Sequence, residues 1–124
     1  MMVVRGIRGA TTTEADTEED ILEATRELLV KMVEVNGVVP DDIAACLFTC
    51  TPDLTATFPA AAARSLGWTY VPLVGASEMA VPGEVSRCIR VLMLVNTTRR
   101  PEEVTHVYLR DAQRLRPDLV GGRE

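Results

Sequence analysis

At 124 residues, 47% of them apolar and 25% charged, the chain is long enough for one domain with a real core and gives no sign of disorder. A net charge of −5 excludes a phosphate-tracking surface, so nucleic acid is not an expected partner, and no apolar run approaches the ~20 residues of a membrane span. Three cysteines (Cys46, Cys50, Cys88) without a Cys-x-x-Cys pair, and one histidine, His106, are poor material for a metal site or a disulfide framework. The cysteines read as small buried apolar residues. The first residues lack the basic head, apolar core and small-residue cleavage site of a signal peptide, so a cytoplasmic location is expected.

In chain order, residues 3–11 carry β-type residues with modest alternation and predict a first strand. Val4, Gly6, Arg8 and Ala10 share one face. Arg8, between two glycines, is either an exposed edge residue or an anion contact. Thr17 is a good N-cap, with Glu18, Glu19 and Asp20 complementing the helix dipole. Ile21, Leu22, Thr25, Leu28, Leu29, Met32 and Val33 recur at helical spacing until Asn36-Gly37 stops the helix. Pro40-Asp41-Asp42 makes a turn or short helical step into a second apolar strand over 43–51, ended by Pro52-Asp53. Pro59 suits the first position of a short helix running to Leu66 and ended by Gly67. Phe58 is either a staple against that helix or an apolar wall beside a ligand.

Residues 68–74 predict a third strand. Pro72 would remove a ladder bond, which places this strand at an edge or near a bend, and residues 75–79 follow as a tight turn. The short return through Pro82-Gly83 predicts that this strand and the next are antiparallel neighbours, with Glu78 and Arg90 near the same end. Residues 98–103 form a polar turn with a helical start. The alternating residues 105–110 give a last strand with His106, Tyr108 and Arg110 on one side, His106 being structural for want of an activated nucleophile. A mobile tail follows, able to close over a site. No repeat and no Gly-rich phosphate loop is present.

The run from Cys88 to Thr97 is nearly all apolar and reads as a central strand buried on both faces. Arg90 interrupts it, on the side of Cys88, Leu92 and Leu94. Its guanidinium cannot shed its charge, so it ends in water, on an internal carboxylate, or on an anion from outside. The chain has twelve Arg against one Lys. Acids concentrate in residues 14–34, while Arg5, Arg8, Arg64, Arg87, Arg90, Arg110, Arg114 and Arg116 lie in or beside predicted strands and loops. Arginines in the apolar segments of an acidic protein suit a small, multiply anionic ligand. The layout predicts an α+β fold: a mixed sheet covered by one long helix plus a short one, its other face needing a partner, hence a homo-oligomer.

Arg5-Gly6-Ile7-Arg8-Gly9-Ala10-Thr11-Thr12, Thr51-Pro52-Asp53-Leu54, Phe58-Pro59-Ala60, Trp68-x-Tyr70-Val71-Pro72, Glu78-Met79, Cys88-Ile89-Arg90-Val91, His106-Val107-Tyr108-Leu109 and Leu115-Arg116-Pro117-Asp118-Leu119 together resemble the small monofunctional chorismate mutases. The resemblance is to the trimeric, pseudo-α/β-barrel class, not the all-helical one, and runs to about Leu119. It implies one domain over residues 1–119 with a short flexible tail over 120–124. The implied activity is the intramolecular rearrangement of chorismate to prephenate, on the route to phenylalanine and tyrosine, without cofactor or metal.

By that resemblance Arg90 binds a carboxylate and the ether oxygen, Arg8 and Tyr108 clamp the enolpyruvyl carboxylate, and Glu78 accepts from the ring hydroxyl. Phe58, Ala60, Leu73 and Leu115 make apolar walls, Val74, Gly75, Ala76 and Ser77 line the site, and Arg64 and Arg116 add peripheral positive potential. The site lies between subunits of a homotrimer, with Phe58 and residues 73–75 from one chain and Arg8, Glu78, Arg90 and Tyr108 from its neighbour. Ala61 stands where the family often has Lys, and Val74-Gly75 where it often has Thr-Cys. The competing readings are a trimeric binding module that holds a dicarboxylate without turning it over, and a structural oligomer whose arginines pair with acids.

Overall fold

A computed structural model describes residues 1–115; Arg116 and the tail expected over 120–124 lie outside the described residues. Five strands form one mixed sheet: β1 (Val3–Thr12), β2 (Ile43–Cys50), β3 (Leu73–Ser77), β4 (Cys88–Thr97) and β5 (Val107–Tyr108). Their order across the sheet is β3-β2-β4-β1-β5. The helix-containing connection from β2 to β3 suits their parallel pairing at one edge; β5 pairs parallel with β1 at the other edge, and β4 runs antiparallel to both β1 and β2. The α+β expectation holds, with β4 in the middle.

A long helix, α1 (Glu18–Asn36), covers one face of the sheet, and a short one, α2 (Ala60–Ser65), packs beside it. Thr17 caps α1 by accepting from Asp20 N at 3.1 Å, and Gly37 ends it in the left-handed conformation (φ 61°), which only glycine adopts without a Cβ penalty. Ile21, Ala24, Leu28, Leu29 and Met32 are fully buried. Leu28, Leu29 and Met32 meet Ile7, Cys46, Phe48, Val91, Met93 and Val95 from the strands. Each such side chain removed from water contributes roughly 1.5–3 kcal/mol. The helix descends onto β1 because Gly9 has no side chain: a Cβ there would stand 3.2 Å from Leu28 Cδ1 and closer still to Met32 Sδ.

Four sequence expectations need correction. The third strand is not residues 68–74 but Leu73–Ser77, so the expected turn at 75–77 is the strand itself. Trp68 and Val71 are buried in the core instead. Pro72 has no N–H to give, and its carbonyl accepts from Cys46 N at 2.9 Å, so the ladder opens one residue later. This strand is at an edge, as Pro72 suggested, but it pairs with β2 and not with β4, since β2 lies between them. The last strand shrinks from six residues to two, because Arg110 turns the chain at φ 52° into a 3-10 helix over Arg110–Arg114. Finally, β4 is buried on one face only. Ile89, Val91, Met93 and Val95 lie beneath the helices, whereas Leu92 on the other face is 38% exposed within a single chain.

Asn36 does more than help end α1. It is buried, its amide donates to Met32 O (2.9 Å) and Thr105 O (2.8 Å), and its carbonyl oxygen accepts from Thr105 N (2.8 Å), tying the helix end to the approach to β5. Asn36→Leu fills the same space but orphans both backbone groups of Thr105, so urea unfolding at fixed protein concentration should register a loss of roughly 2–4 kcal/mol.

Candidate active site

The face of the sheet away from α1 carries the chemistry. Period two puts Gly6, Arg8 and Ala10 of β1 on the side of Arg90, Leu92 and Leu94 of β4, and the register sets Ala10 beside Arg90 and Thr49 of β2 on its other flank. A cleft of about 330 Å³ opens there, lined by Arg8, Ala10, Leu47, Thr49, Arg90, Leu92 and Tyr108. That is within the range of small-ligand sites. Tyr108 arrives on β5 opposite Ala10, and the backbone N–H of Arg8 donates to His106 Nδ1 at 2.9 Å, so His106 has a structural bond at the rim. Leu115 packs with Tyr108 against Ala10, Cys88 and Ala112 where the 3-10 turn folds over the end of this face.

Arg90 is the centre of the cleft. Its side chain is 43% exposed, yet its Nε is buried and makes no hydrogen bond. Glu78 Oε2 lies 3.4 Å from that nitrogen, close enough for attraction but outside hydrogen-bonding geometry. The same oxygen also accepts a short hydrogen bond from the Thr49 hydroxyl. Glu78 is fixed in turn by its backbone N–H, which donates to Cys50 O at 2.9 Å. Glu78 and Arg90 therefore meet, as the sequence suggested, although the strand before Glu78 reaches them across β2 and not as a neighbour of β4.

Phe58, Gly75, Ala76 and Ser77 line a second cleft of about 670 Å³, between the 51–58 loop and β3. Thr49 is common to both clefts. β3 stands three strand positions from β1, about 14 Å at ordinary strand spacing. Phe58 is 76% exposed. Its loop is held by Asp16, which accepts from Thr55 N (2.9 Å), Thr55 Oγ1 (2.8 Å) and Ala56 N (3.0 Å). Those bonds, the Thr55 N–H first, keep the Asp16 carboxyl below its ordinary range despite a small opposing effect of burial.

Not every residue singled out in the sequence reaches a cleft. Ala60 is buried in the core on α2, Arg64 is exposed on that helix, Leu73 packs against the core, and Val74 is exposed opposite Leu47. Arg116 lies outside the described residues. Of the arginines beside strands and loops, several serve the fold: Arg5 Nε donates to Arg99 O, Arg87 Nε to Thr13 O, and Arg110 to Thr12 O and Glu27. Thr49 and Leu47 were missed, their only signal being parity on a strand whose register the sequence does not give, whereas Leu92 shares a strand and a face with Arg90 and was placed there by period two.

Residues 4–119 match the family model described as chorismate mutase type I. The chain belongs to the type I chorismate mutases. It is 58% identical to the chorismate mutase AroH of Thermus thermophilus over 118 residues, covering 94% of this chain and 97% of the relative. Against the chorismate mutase AroH of Bacillus subtilis the identity is 51%, covering 95% and 94%. A solved chorismate mutase from Clostridium thermocellum superposes with a TM-score of 0.87 at 47% identity, covering 88% of this chain and 97% of that one. The resemblance read from the motifs is thus confirmed, and with it chorismate mutase activity, an isomerase reaction. No helix among the described residues is long and apolar enough to cross a membrane.

All three thiols are biased toward the protonated form. Burial pushes Cys46 up to about 12. Cys88 is pushed up to about 11 by burial, against a lowering pull from Arg90, and Cys50 is also raised, first by burial. Raised values mean that the protonated thiols belong to the folded state: their contribution to stability is full below the ordinary value of 9.0 and is lost as pH climbs through the folded values. At pH 8 the buried Cys46 and Cys88 should therefore react slowly with a thiol reagent in the native protein, whereas half-buried Cys50 is more accessible, and unfolding in urea should make all three react fast. More than one fast thiol in the folded protein contradicts this burial.

Proposed function

We propose that this enzyme converts chorismate to prephenate by clamping the substrate in its folded conformer and stabilising charge on the ether oxygen with Arg90, at sites completed between the subunits of a cytoplasmic homotrimer. The reaction breaks a C–O bond while forming a C–C bond within one molecule, and needs neither proton transfer nor a covalent intermediate. The product serves phenylalanine and tyrosine biosynthesis. The observation that carries the mechanism is the buried Nε of Arg90, a cationic donor without a hydrogen bond at the wall of an arginine-lined cleft. Glu78, 3.4 Å away, balances part of the charge, but the donor keeps an unmade hydrogen bond that an incoming acceptor would satisfy. An ether oxygen gaining negative charge as its bond stretches is such an acceptor, and it accepts more strongly in the transition state than in the ground state.

Arg8 and Tyr108, on the same cleft, suit a carboxylate of the substrate, and holding it there restricts the flexible side chain to the reactive geometry. Glu78, oriented by Thr49, accepts from the ring hydroxyl. The separation of Phe58 and β3 from Arg8 and Tyr108 across the sheet supports the view that a second copy supplies the missing wall. The exposure of Leu47, Val74 and Leu92 on the uncovered face supports it further. Family membership over nearly the whole length favours this enzyme over a dicarboxylate-binding module.

Loss of the diene absorbance of chorismate, followed with purified protein, tests the activity; a rate no faster than the spontaneous one overturns it. Replacing Arg90 by neutral, nearly isosteric citrulline should lower kcat by about 10²–10³ with a smaller change in KM, a loss of ~3–4 kcal/mol from the transition state. Equal losses in affinity and turnover would assign Arg90 to uniform binding. Co-refolding Arg90→Ala chains with Phe58→Asp chains should restore activity that neither has alone, since mixed trimers contain sites with both halves intact. No recovery from co-assembled chains would place the site within one chain.

A further inference from the structure

The Thr51-Pro52-Asp53-Leu54 motif has no part in the chemistry above, and Arg87, three residues before Arg90, holds a left-handed backbone at φ 45°. An arginine keeps such a conformation only where its surroundings over-determine it. Here they do. Arg87 N donates to Asp53 Oδ2 at 2.9 Å, Arg87 Nε donates to Thr13 O at 3.1 Å, and Arg87 O accepts from Thr13 N at 3.0 Å. The next residue is held too: Cys88 N donates to Thr51 Oγ1, and Thr51 N to Cys88 O, both at 3.0 Å. The Thr51 hydroxyl in turn donates to Asp53 Oδ1, so one carboxylate closes the set.

We propose that Asp53, Thr51 and the left-handed Arg87 form a register lock that positions Arg90, making Asp53 and Arg87 positioning residues for the reaction. The inference rests on Arg90 acting as argued above. Strand register is normally set by an apolar face, and a slip of one residue exchanges the faces. β4 gives that rule little purchase, because Ile89, Val91, Met93 and Val95 on one face are matched by Leu92 and Leu94 on the other. The charge of Arg90 opposes a full slip, but it does not fix the guanidinium to the fraction of an ångström that a catalytic contact requires. The lock does so at both sides of the entry to β4, from β1 through Thr13 and from the 51–53 loop through Asp53. That loop continues to Phe58, so one anchor sets both a charged and an apolar element.

Arg87→Gly tests this, since glycine accepts the positive φ and the change isolates the guanidinium that holds Thr13. Asp53→Asn tests the other end, because an amide turns an NH2 donor toward one of the two donors the carboxylate now satisfies. For each variant, kcat, KM, thermal unfolding and affinity for a bicyclic dicarboxylate mimic of the transition state are measured. The expected result is a fall of about tenfold to a hundredfold in kcat and a parallel fall in mimic affinity, with KM within about twofold. A residue that is merely structural lowers the unfolding temperature and leaves kcat of the folded fraction and mimic affinity intact; that outcome, or a change confined to KM, overturns the proposal. Should Arg87→Gly not fold, Asp53→Asn decides by the same measures. The citrulline variant at position 90 runs in parallel. If it keeps its kcat, the role of Arg90 fails; if it loses kcat while the lock variants do not, the lock alone fails.

Discussion

The structure depends on a cation that cannot be discharged, placed in the middle strand of an apolar sheet. α1 seals one face with leucine, isoleucine and methionine, and an arginine there would lie in a dry core without a partner. Arg90 therefore fixes which face of β4 is chemical. The same face then carries Arg8 and Tyr108 by strand parity and register. Glu78 pairs with the charge at 3.4 Å through an oxygen that Thr49 also holds, and it makes no hydrogen bond to the Arg90 Nε.

This arrangement links assembly to chemistry. The cleft floor is partly leucine, and in a lone chain its open face leaves Arg90 in contact with water, where a charge contact is worth little. A second copy laid over Leu47, Val74 and Leu92 would bury apolar surface and lower the local dielectric around the guanidinium in one step. In the proposed trimer the free energy of association and the strength of the catalytic field share one cause.

How far the sequence could be read follows from how local each signal is. The α1 boundaries were legible because Thr17, the acidic first turn and Asn36-Gly37 act within a few residues of one another. β1 and β4 were legible from their composition, and Arg90 from its misfit within β4. The pairing of β3 was not, because a short return after Pro82-Gly83 resembles a hairpin, while the decisive fact, that β2 lies between β3 and β4, is a long-range property. The same gap hid Thr49 and Leu47, whose place at the cleft depends on which strand lies alongside. The motif resemblance supplied candidate site residues, while the geometry separated those at a cleft from Ala60, which is in the core.

The arginine excess resolves into two populations by what their nitrogens meet. Arg5, Arg87 and Arg110 donate to main-chain carbonyls where the chain enters or leaves a strand, and two of them hold left-handed backbones to do so. Lysine, with a single ammonium and no fixed fork, is less suited to hold two directions at once. Arg90 differs in that its buried donor meets no main-chain oxygen within hydrogen-bonding geometry. Composition alone suggested one use for all of them, an anionic ligand. The structural arginines instead fix strand ends, and under the proposed mechanism they hold the strand that carries Arg90 so that its guanidinium stands at a set height above the sheet, where it would favour a stretching bond over an intact one.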